Sequence, residues 1–314
     1  MAIYSGISGK RKGSVGNETY TIPRGQNIVR AKVIETTNPR TRSQMLQRAS
    51  FASAVRLYQL ATQSFFKFAF EDKKERESDY NAFMRHNISR GAVVPPVNTT
   101  DVPDYPCLGD WEWTNGRLPL SVTSRFLGAS GQYNFSSVLE IAGDYSSSAP
   151  TSLGELATLL AEKGLFALGD IVTIPVMYYE AIYVPGQIIP QGTQANSFKY
   201  GQLILDAADT TPISGTPTII GGITVFVEGT ATELSVHFEM RFSAPAEQLA
   251  GLIAQASVIR SQVPTAGKLL VSTSGNVMSA GAQNLYTMLQ TDVIRERILQ
   301  MWKAREGAIL EGKG

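Results

Sequence analysis

Between positions 233 and 242 the chain alternates strictly, with Leu234, Val236, Phe238, Met240 and Phe242 on one side and Glu233, Ser235, His237, Glu239 and Arg241 on the other. Successive side chains of a strand point to opposite faces, so this pattern predicts a β-strand with one packed and one wet face. Such strands belong to antiparallel sheets. The predicted partner is 223–228, turned at Gly229-Thr230. Residues 118–126 and 171–179 are also β-rich, and Pro175 predicts an edge position or a bulge for the second, because proline cannot donate to a ladder.

Helical spacing appears elsewhere. Thr41-Arg42-Ser43-Gln44 fits a capping box, and Phe51, Val55, Tyr58, Thr62, Phe65, Phe66 and Ala69 then recur at helical intervals. A shorter helix is expected through Tyr80, Phe83, Met84 and Ile88, ending at Gly91. Ser152-x-x-Glu155 opens a helix that closes at Gly164, and a last helix is expected from about Ala280 to Ala308 with Ile294, Ile298, Met301 and Trp302 on one face. No internal repeat is found. The fold class predicted is α+β: an N-terminal extended hairpin arm and a helical hairpin, then a mostly antiparallel β-domain with a long C-terminal helix.

Five domains or segments are predicted. Residues 1–38 form a basic extended arm, with strands at 18–22 and 27–34 joined at Pro23-Arg24-Gly25. Residues 39–91 form the helical hairpin. In 92–119, Pro95, Pro96, Pro103, Pro106 and Pro119 favour an extended course around Trp111 and Trp113, which makes this proline-rich linker the best boundary. The β-rich domain runs over 120–278 and the terminal helix over 279–314. Long connections at 184–200 and 207–222 exceed what a minimal domain needs, and loops of that kind usually reach neighbours.

Charge divides the chain. Residues 1–50 carry Lys10, Arg11, Lys12, Arg24, Arg30, Lys32, Arg40, Arg42 and Arg48 against only Glu18 and Glu35. In 151–260 ten acidic residues, from Glu155 to Glu247, face only Lys163, Lys199, Arg241 and Arg260. Opposite signs at separate regions suit head-to-tail contact between copies. Lys10, Arg11, Lys12, Arg24, Arg30, Lys32, Arg40 and Arg42 are therefore the candidate subunit-interface residues, with a transient DNA contact as the other use for them. Charged residues make up 18% of the chain, against about 25% in ordinary globular domains, which leaves surface for contacts.

Chemistry is harder to find. One cysteine, Cys107, cannot form an intrachain disulfide, and with His86 and His237 it is too small a set for a typical zinc site. Gly6-Ile7-Ser8-Gly9-Lys10 lacks phosphate-loop spacing, and dinucleotide, nucleophile-elbow and zinc-protease motifs do not occur. A Cys107–histidine pair, Asp101, Asp104 and Asp110 as oxygen ligands, and Trp111-Glu112-Trp113 as a base-stacking platform are each weaker than a plain packing or loop reading. No catalytic, cofactor or metal residue is assigned. The N-terminus has no apolar signal region and no apolar run reaches spanning length, which predicts a soluble chain made in the cytoplasm.

A resemblance then enters through residues 9–90. Gly13, Val15, Gly16 and Asn17, then Arg30, then Pro39, Thr41, Gln44, Gln47, Arg48 and Phe51, then Tyr80, Asn81 and Ala82 follow one another in order. The stretch resembles a Bacteroidetes and crAss-like phage family with the pattern Gly-Lys-x-Gly-x-Val-Gly-Asn, Arg, Pro-x-Thr-x-x-Gln-x-x-Gln-Arg-x-x-Phe and Tyr-Asn-Ala. One departure is Lys12 before Gly13, within Lys10-Arg11-Lys12. Members include virion proteins, among them rings that stack into the tail barrel. The resemblance implies a structural role, and with the extended arm, long loops and opposite charges the function expected is a non-enzymatic structural subunit of the virion, a ring-forming tail (tail barrel or neck) protein. Its partners would be copies of itself in a closed ring, a dodecamer being one option, and neighbouring ring, portal or tail proteins. A nucleic-acid-binding or cargo virion protein and a virion-associated enzyme are the alternatives.

Overall fold

The computed structural model describes residues 13–15, 18–21, 28–31, 41–96, 106–129, 131–145, 149–180, 196–213, 217–230, 232–245, 248–263 and 269–310. By its internal contacts the chain divides into two units, Met1–Thr41 and Arg42–Gly314. The fold is α+β with mostly antiparallel sheets, as the two periodicities imply.

The first unit holds an antiparallel sheet of three short strands in the order β1 (Gly13–Val15), β2 (Glu18–Thr21) and β3 (Ile28–Ala31). The expected two-stranded hairpin thus gains a strand, because Gly13–Val15 pairs back on Glu18–Tyr20. None of its described side chains is buried: Thr19 and Tyr20 are half-buried, and Glu18, Val29, Arg30 and Ala31 are exposed.

In the second unit two sheets and a helical layer enclose two cores. A five-stranded sheet runs β10 (Thr218–Ile220), β11 (Ile223–Gly229), β12 (Glu233–Ser243), β7 (Gln132–Ala142) and β6 (Thr123–Ala129). β12 pairs in continuous register with β11 and with all of β7, and buries the five apolar residues its alternation marked out. These pack with Phe135 and Leu139 of β7 and Val172, Ile174 and Val176 of β8 (Ile171–Tyr179). Helix α3 (Leu153–Glu162) adds Leu153, Leu156 and Leu160. Its start is the expected capping box: Ser152 Oγ accepts from Glu155 N at 3.3 Å and Glu155 Oε2 accepts from Thr151 N at 2.7 Å.

β8 is the centre of the eight-stranded sheet, and here the proline reading fails. One side of β8 pairs with β9 (Asn196–Ile204), the other with β13 (Ile253–Ala256) and β14 (Ile259–Gln262) in a common register. Pro175 is therefore interior. In an antiparallel ladder a residue's N–H and C=O point the same way, and the Pro175 carbonyl accepts from Ser257 N at 3.2 Å. Its missing donor thus faces the gap where β13 gives way to β14. The sheet continues through β15 (Leu270–Ser274), β5 (Thr114–Arg117) and β4 (Ala69–Phe70), with β16 (Val277–Met278) beyond β13.

The opposite face of β8 carries Met177 and Tyr179 into a second core beneath α1 (Arg42–Gln63), α2 (Asp79–Asn87) and α4 (Ala280–Leu289). The buried stripe of α1 is Met45, Ala49, Ser53, Ala54, Leu57 and Ala61, whereas Phe51 is 38% and Phe65 85% exposed. The helix lies close on its small residues, which a reading weighted toward large apolar side chains misses. It stops at Gln63, and Phe65 takes a left-handed φ of 62° as Phe66 N bonds Ala61 O at 2.9 Å.

Residues 92–119 do not separate two domains, since the contact division falls after Thr41. Cys107, Leu108, Trp111 and Trp113 are fully buried in the second core. Irregular backbone survives there because side chains satisfy it: Asn87 donates to Glu112 O at 2.9 Å and accepts from Glu112 N at 2.7 Å. The chain ends in a long helix as expected, but the expected span from Ala280 is divided. It breaks into α4 and α5 (Asp292–Leu310), and Thr291 Oγ1 donates to Met288 O at 2.7 Å, competing with the ladder at the break. Of the expected connections 184–200 and 207–222, residues 184–195 and 214–216 lie outside the described residues, while 196–200 belong to β9 and 218–220 form β10.

Candidate functional site

Of the eight cations picked as contact residues, Lys10, Arg11, Lys12, Arg24, Lys32 and Arg40 lie outside the described residues. Arg30 is on β3 opposite Thr19 and is exposed. Arg42 belongs to the other unit, where it opens α1 and forms ion pairs with Glu296 and Asp292 of α5, the second at 3.5 Å. Glu296 is the main cause that raises the Arg42 pKa. Arg42 therefore acts within its own chain. Arg48 likewise pairs with Glu306.

Sequence reasoning missed a charged cluster around His86. α2 starts at Ser78, whose hydroxyl accepts from Asn81 N at 3.2 Å, and its last turn presents Arg85 and His86 to the preceding loop. Asp72 Oδ1 lies 2.9 Å from His86 Nε2 and Glu112 Oε1 lies 3.3 Å from Nδ1, while the imidazole stacks on Phe70 at 4.5 Å. Arg85 bridges Asp72 at 2.7 Å and Glu77 at 3.1 Å, and Arg90 holds Glu112 at 2.7 Å. Hydrogen bonding by Arg85 is the largest cause that lowers the Asp72 carboxyl to about 2, with His86 adding to it. No sequence motif marks this group, because its members come from three separated segments. Each carboxylate already has a cation and the imidazole touches no hydroxyl or thiol, so the cluster fastens the 71–79 loop to α2 and to residue 112.

The other sequence candidates fall into structural roles. Cys107 is buried, its carbonyl accepts from Trp111 Nε1 at 3.0 Å and Gln255 Nε2 at 2.8 Å, and neither histidine touches it. His237 stacks on Phe226 at 4.3 Å and lies 3.6 Å from Glu228. Trp111 and Trp113 are buried and offer no stacking surface. Asp101 and Asp104 lie outside the described residues, and Asp110 is exposed. Among the described residues no group of three or more His, Cys, Asp or Glu could hold a metal ion. A buried ion pair completes the inventory: Arg260 Nε meets Asp170 Oδ2 at 2.7 Å, with side-chain exposures of 6% and 0%.

Besides an open depression of about 670 Å³ beside α3, lined by Thr151, Glu155, Thr158 and Asp209, two depressions with apolar linings stand out. The helical layer covers the Met177–Tyr179 end of β8 and leaves its Ile171–Thr173 end open, forming a hollow of about 270 Å³ lined by Phe65, Ile171, Tyr200, Ile259 and Leu269. Phe65, Leu269 and Ile204, which faces Ile171 in the ladder, are exposed large apolar residues there. Phe65 is the outlier. A bulky residue with positive φ is strained, and this one gains almost no burial in return. The second depression, about 470 Å³, lies between α1 and α5.

Residues 9–98 match a family of unknown function, DUF6266. The match takes in the small sheet, α1, β4 and α2, and covers less than a third of the 314 residues. No curated protein and no solved structure matches the chain. No described helix is long and apolar enough to cross a membrane.

Proposed function

We propose that this chain is a non-enzymatic structural subunit of a phage virion, a ring-forming component of the tail barrel or neck. The observation that carries the proposal is the N-terminal sheet, a unit of its own with no buried side chain among its described residues. Three short strands need a packed apolar face to persist, and the six described side chains bury none, which favours a covering surface outside the unit. The strained, exposed Phe65 beside Leu269 and Ile204 supports a second contact surface on the body. The order of motifs in 9–90 supports the phage setting.

In this reading the basic arm of one copy reaches the acidic β-region of the next, and a heterologous contact of that kind closes into a ring when its rotation closes. Reversing Arg24, Arg30 and Lys32 to Glu should abolish rings in negative-stain images, and Glu-to-Lys changes in 151–260 should partly restore them. Normal rings from the triple variant would overturn the contact. Exposed ion pairs are screened over about 8 Å at physiological salt, so salt should slow assembly more than it dissolves finished rings. The exposed Arg30 also favours a nucleic-acid-binding virion protein, and arm-dependent DNA binding that falls steeply with salt would select that reading.

A further inference from the structure

Thr173 lines the hollow at the open end of β8, with Gln202 of β9 and Ile259 of β14 as its cross-strand neighbours. It is 5% exposed, yet its hydroxyl makes no hydrogen bond to any described residue. A hydroxyl buried without a partner costs stability, and valine would fill the same position without that cost. The polar groups beside it are equally uncommitted. Lys67, Gln202 and the Tyr200 hydroxyl have no hydrogen bond or ion pair among the described residues, and Lys67 is the one charged residue of the lining. The remaining walls are largely apolar, from Phe66, Ile171, Ile259, Leu269 and Val271, with Phe66 edge-on to the Tyr200 ring at 5.7 Å. Residues 264–268, which precede Leu269, lie outside the described residues, and no residue of the lining has a hydrogen bond or ion pair other than those among described residues.

We infer that this hollow binds a small monoanionic carboxylate with an aromatic or branched aliphatic body, the body lying on Ile171, Ile259 and Phe66 and the carboxylate held by Lys67, Thr173 and Tyr200. A single cation with hydroxyl and amide donors beside it suits one carboxylate, and no acidic residue of the lining competes for Lys67. Small-molecule sites are concave and mostly apolar with a few placed polar groups, and the hollow has that make-up. At about 30 Å³ for each water, 270 Å³ corresponds to about nine non-hydrogen atoms, the size of one ring with its carboxylate. Nucleotides exceed that size. An apolar side chain of a neighbouring subunit is the weaker fit, because it would leave Lys67 and the Thr173 hydroxyl without partners. The inference goes beyond the assembly reading and does not depend on it, since every group of the site belongs to one chain.

The test is titration of the purified full chain with phenylacetate, benzoate and cyclohexanecarboxylate, read by ligand-observed NMR, with phenylacetamide as the neutral control of the same shape. The acids should bind with a dissociation constant of about 1 mM or tighter, and phenylacetate at least about tenfold more tightly than its amide. Lys67→Gln should erase that preference, and because Lys67 is exposed and makes no contact of charge within the fold, the variant should melt unchanged. Thr173→Val should weaken acid binding about fivefold while the unliganded variant melts no lower than the parent, a pair of results that a purely structural threonine would not give. Amide binding as tight as acid binding would overturn the inference and assign the hollow to an apolar anchor of a partner chain. No binding of any of the three acids up to about 10 mM, or acid binding untouched by both variants, would overturn it as well. A monomeric chain that still binds the acids would refute the ring and leave the site standing.

Discussion

Replacing Phe65 with Asn should separate what this residue costs the chain from what it does for an assembly. Phe65 sits at φ 62° and is 85% exposed, so it holds a left-handed conformation that suits Asn far better. Relief of that strain is worth about 1 kcal/mol. Against this stands the packing of the 15% that is covered (100 − 85), about 0.4 kcal/mol on a scale where full burial of Phe contributes 2–3. The free chain should therefore be unchanged or up to about 1 kcal/mol more stable, where loss of a core Phe costs about 3–5. Urea unfolding followed by circular dichroism reads the shift in midpoint at constant slope. If the exposed ring is a contact anchor, the same variant should assemble at least tenfold more weakly, since anchors of this kind carry about 2 kcal/mol. A destabilisation beyond about 1 kcal/mol in the free chain would refute the reasoning, because Phe65 would then be serving the fold.

Asp170→Asn should destabilise the body by about 3–5 kcal/mol, since it leaves the Arg260 cation buried without its charge partner. The double change Asp170→Leu with Arg260→Met should recover much of that loss in urea titrations, and a single variant costing under 1 kcal/mol would contradict the reading. The Asp72 carboxyl, held at about 2 by Arg85 against an ordinary value of 3.8, is a depressed acid, so its stabilisation is present above pH 4 and is lost as pH falls toward 2. Because Asp72 is 46% exposed the effect should stay below about 1 kcal/mol, and Asp72→Asn should flatten the acid limb of the stability profile in that window.

Local periodicity made much of this fold legible. The alternation at 233–242 marks β12 and its buried face, and Ser152 with Glu155 marks the start of α3, because neighbours in sequence carry both signals. Pro175 misleads because its tolerance depends on where a strand eighty residues later is interrupted. The prolines around Trp111 and Trp113 forbid ladders and predict a linker, yet both rings are buried, with the Trp111 indole donating to Cys107 O, the Trp113 indole to Asn276 Oδ1 and Asn87 satisfying the Glu112 backbone. The stripe of α1 is legible only if alanines are weighted by how closely a helix must approach a sheet. The His86 cluster and the α1–α5 groove join segments far apart in sequence, and no local pattern announces such meetings.

The central claim is that the chain works as an assembled subunit. Light scattering on the purified full-length protein across concentration and salt measures this directly. The account predicts a discrete high-order species whose mass is an integer multiple of 34.1 kDa, forming more slowly as salt rises. A stable 34.1 kDa monomer at every concentration and salt, the more so if it turns over a substrate, would contradict it.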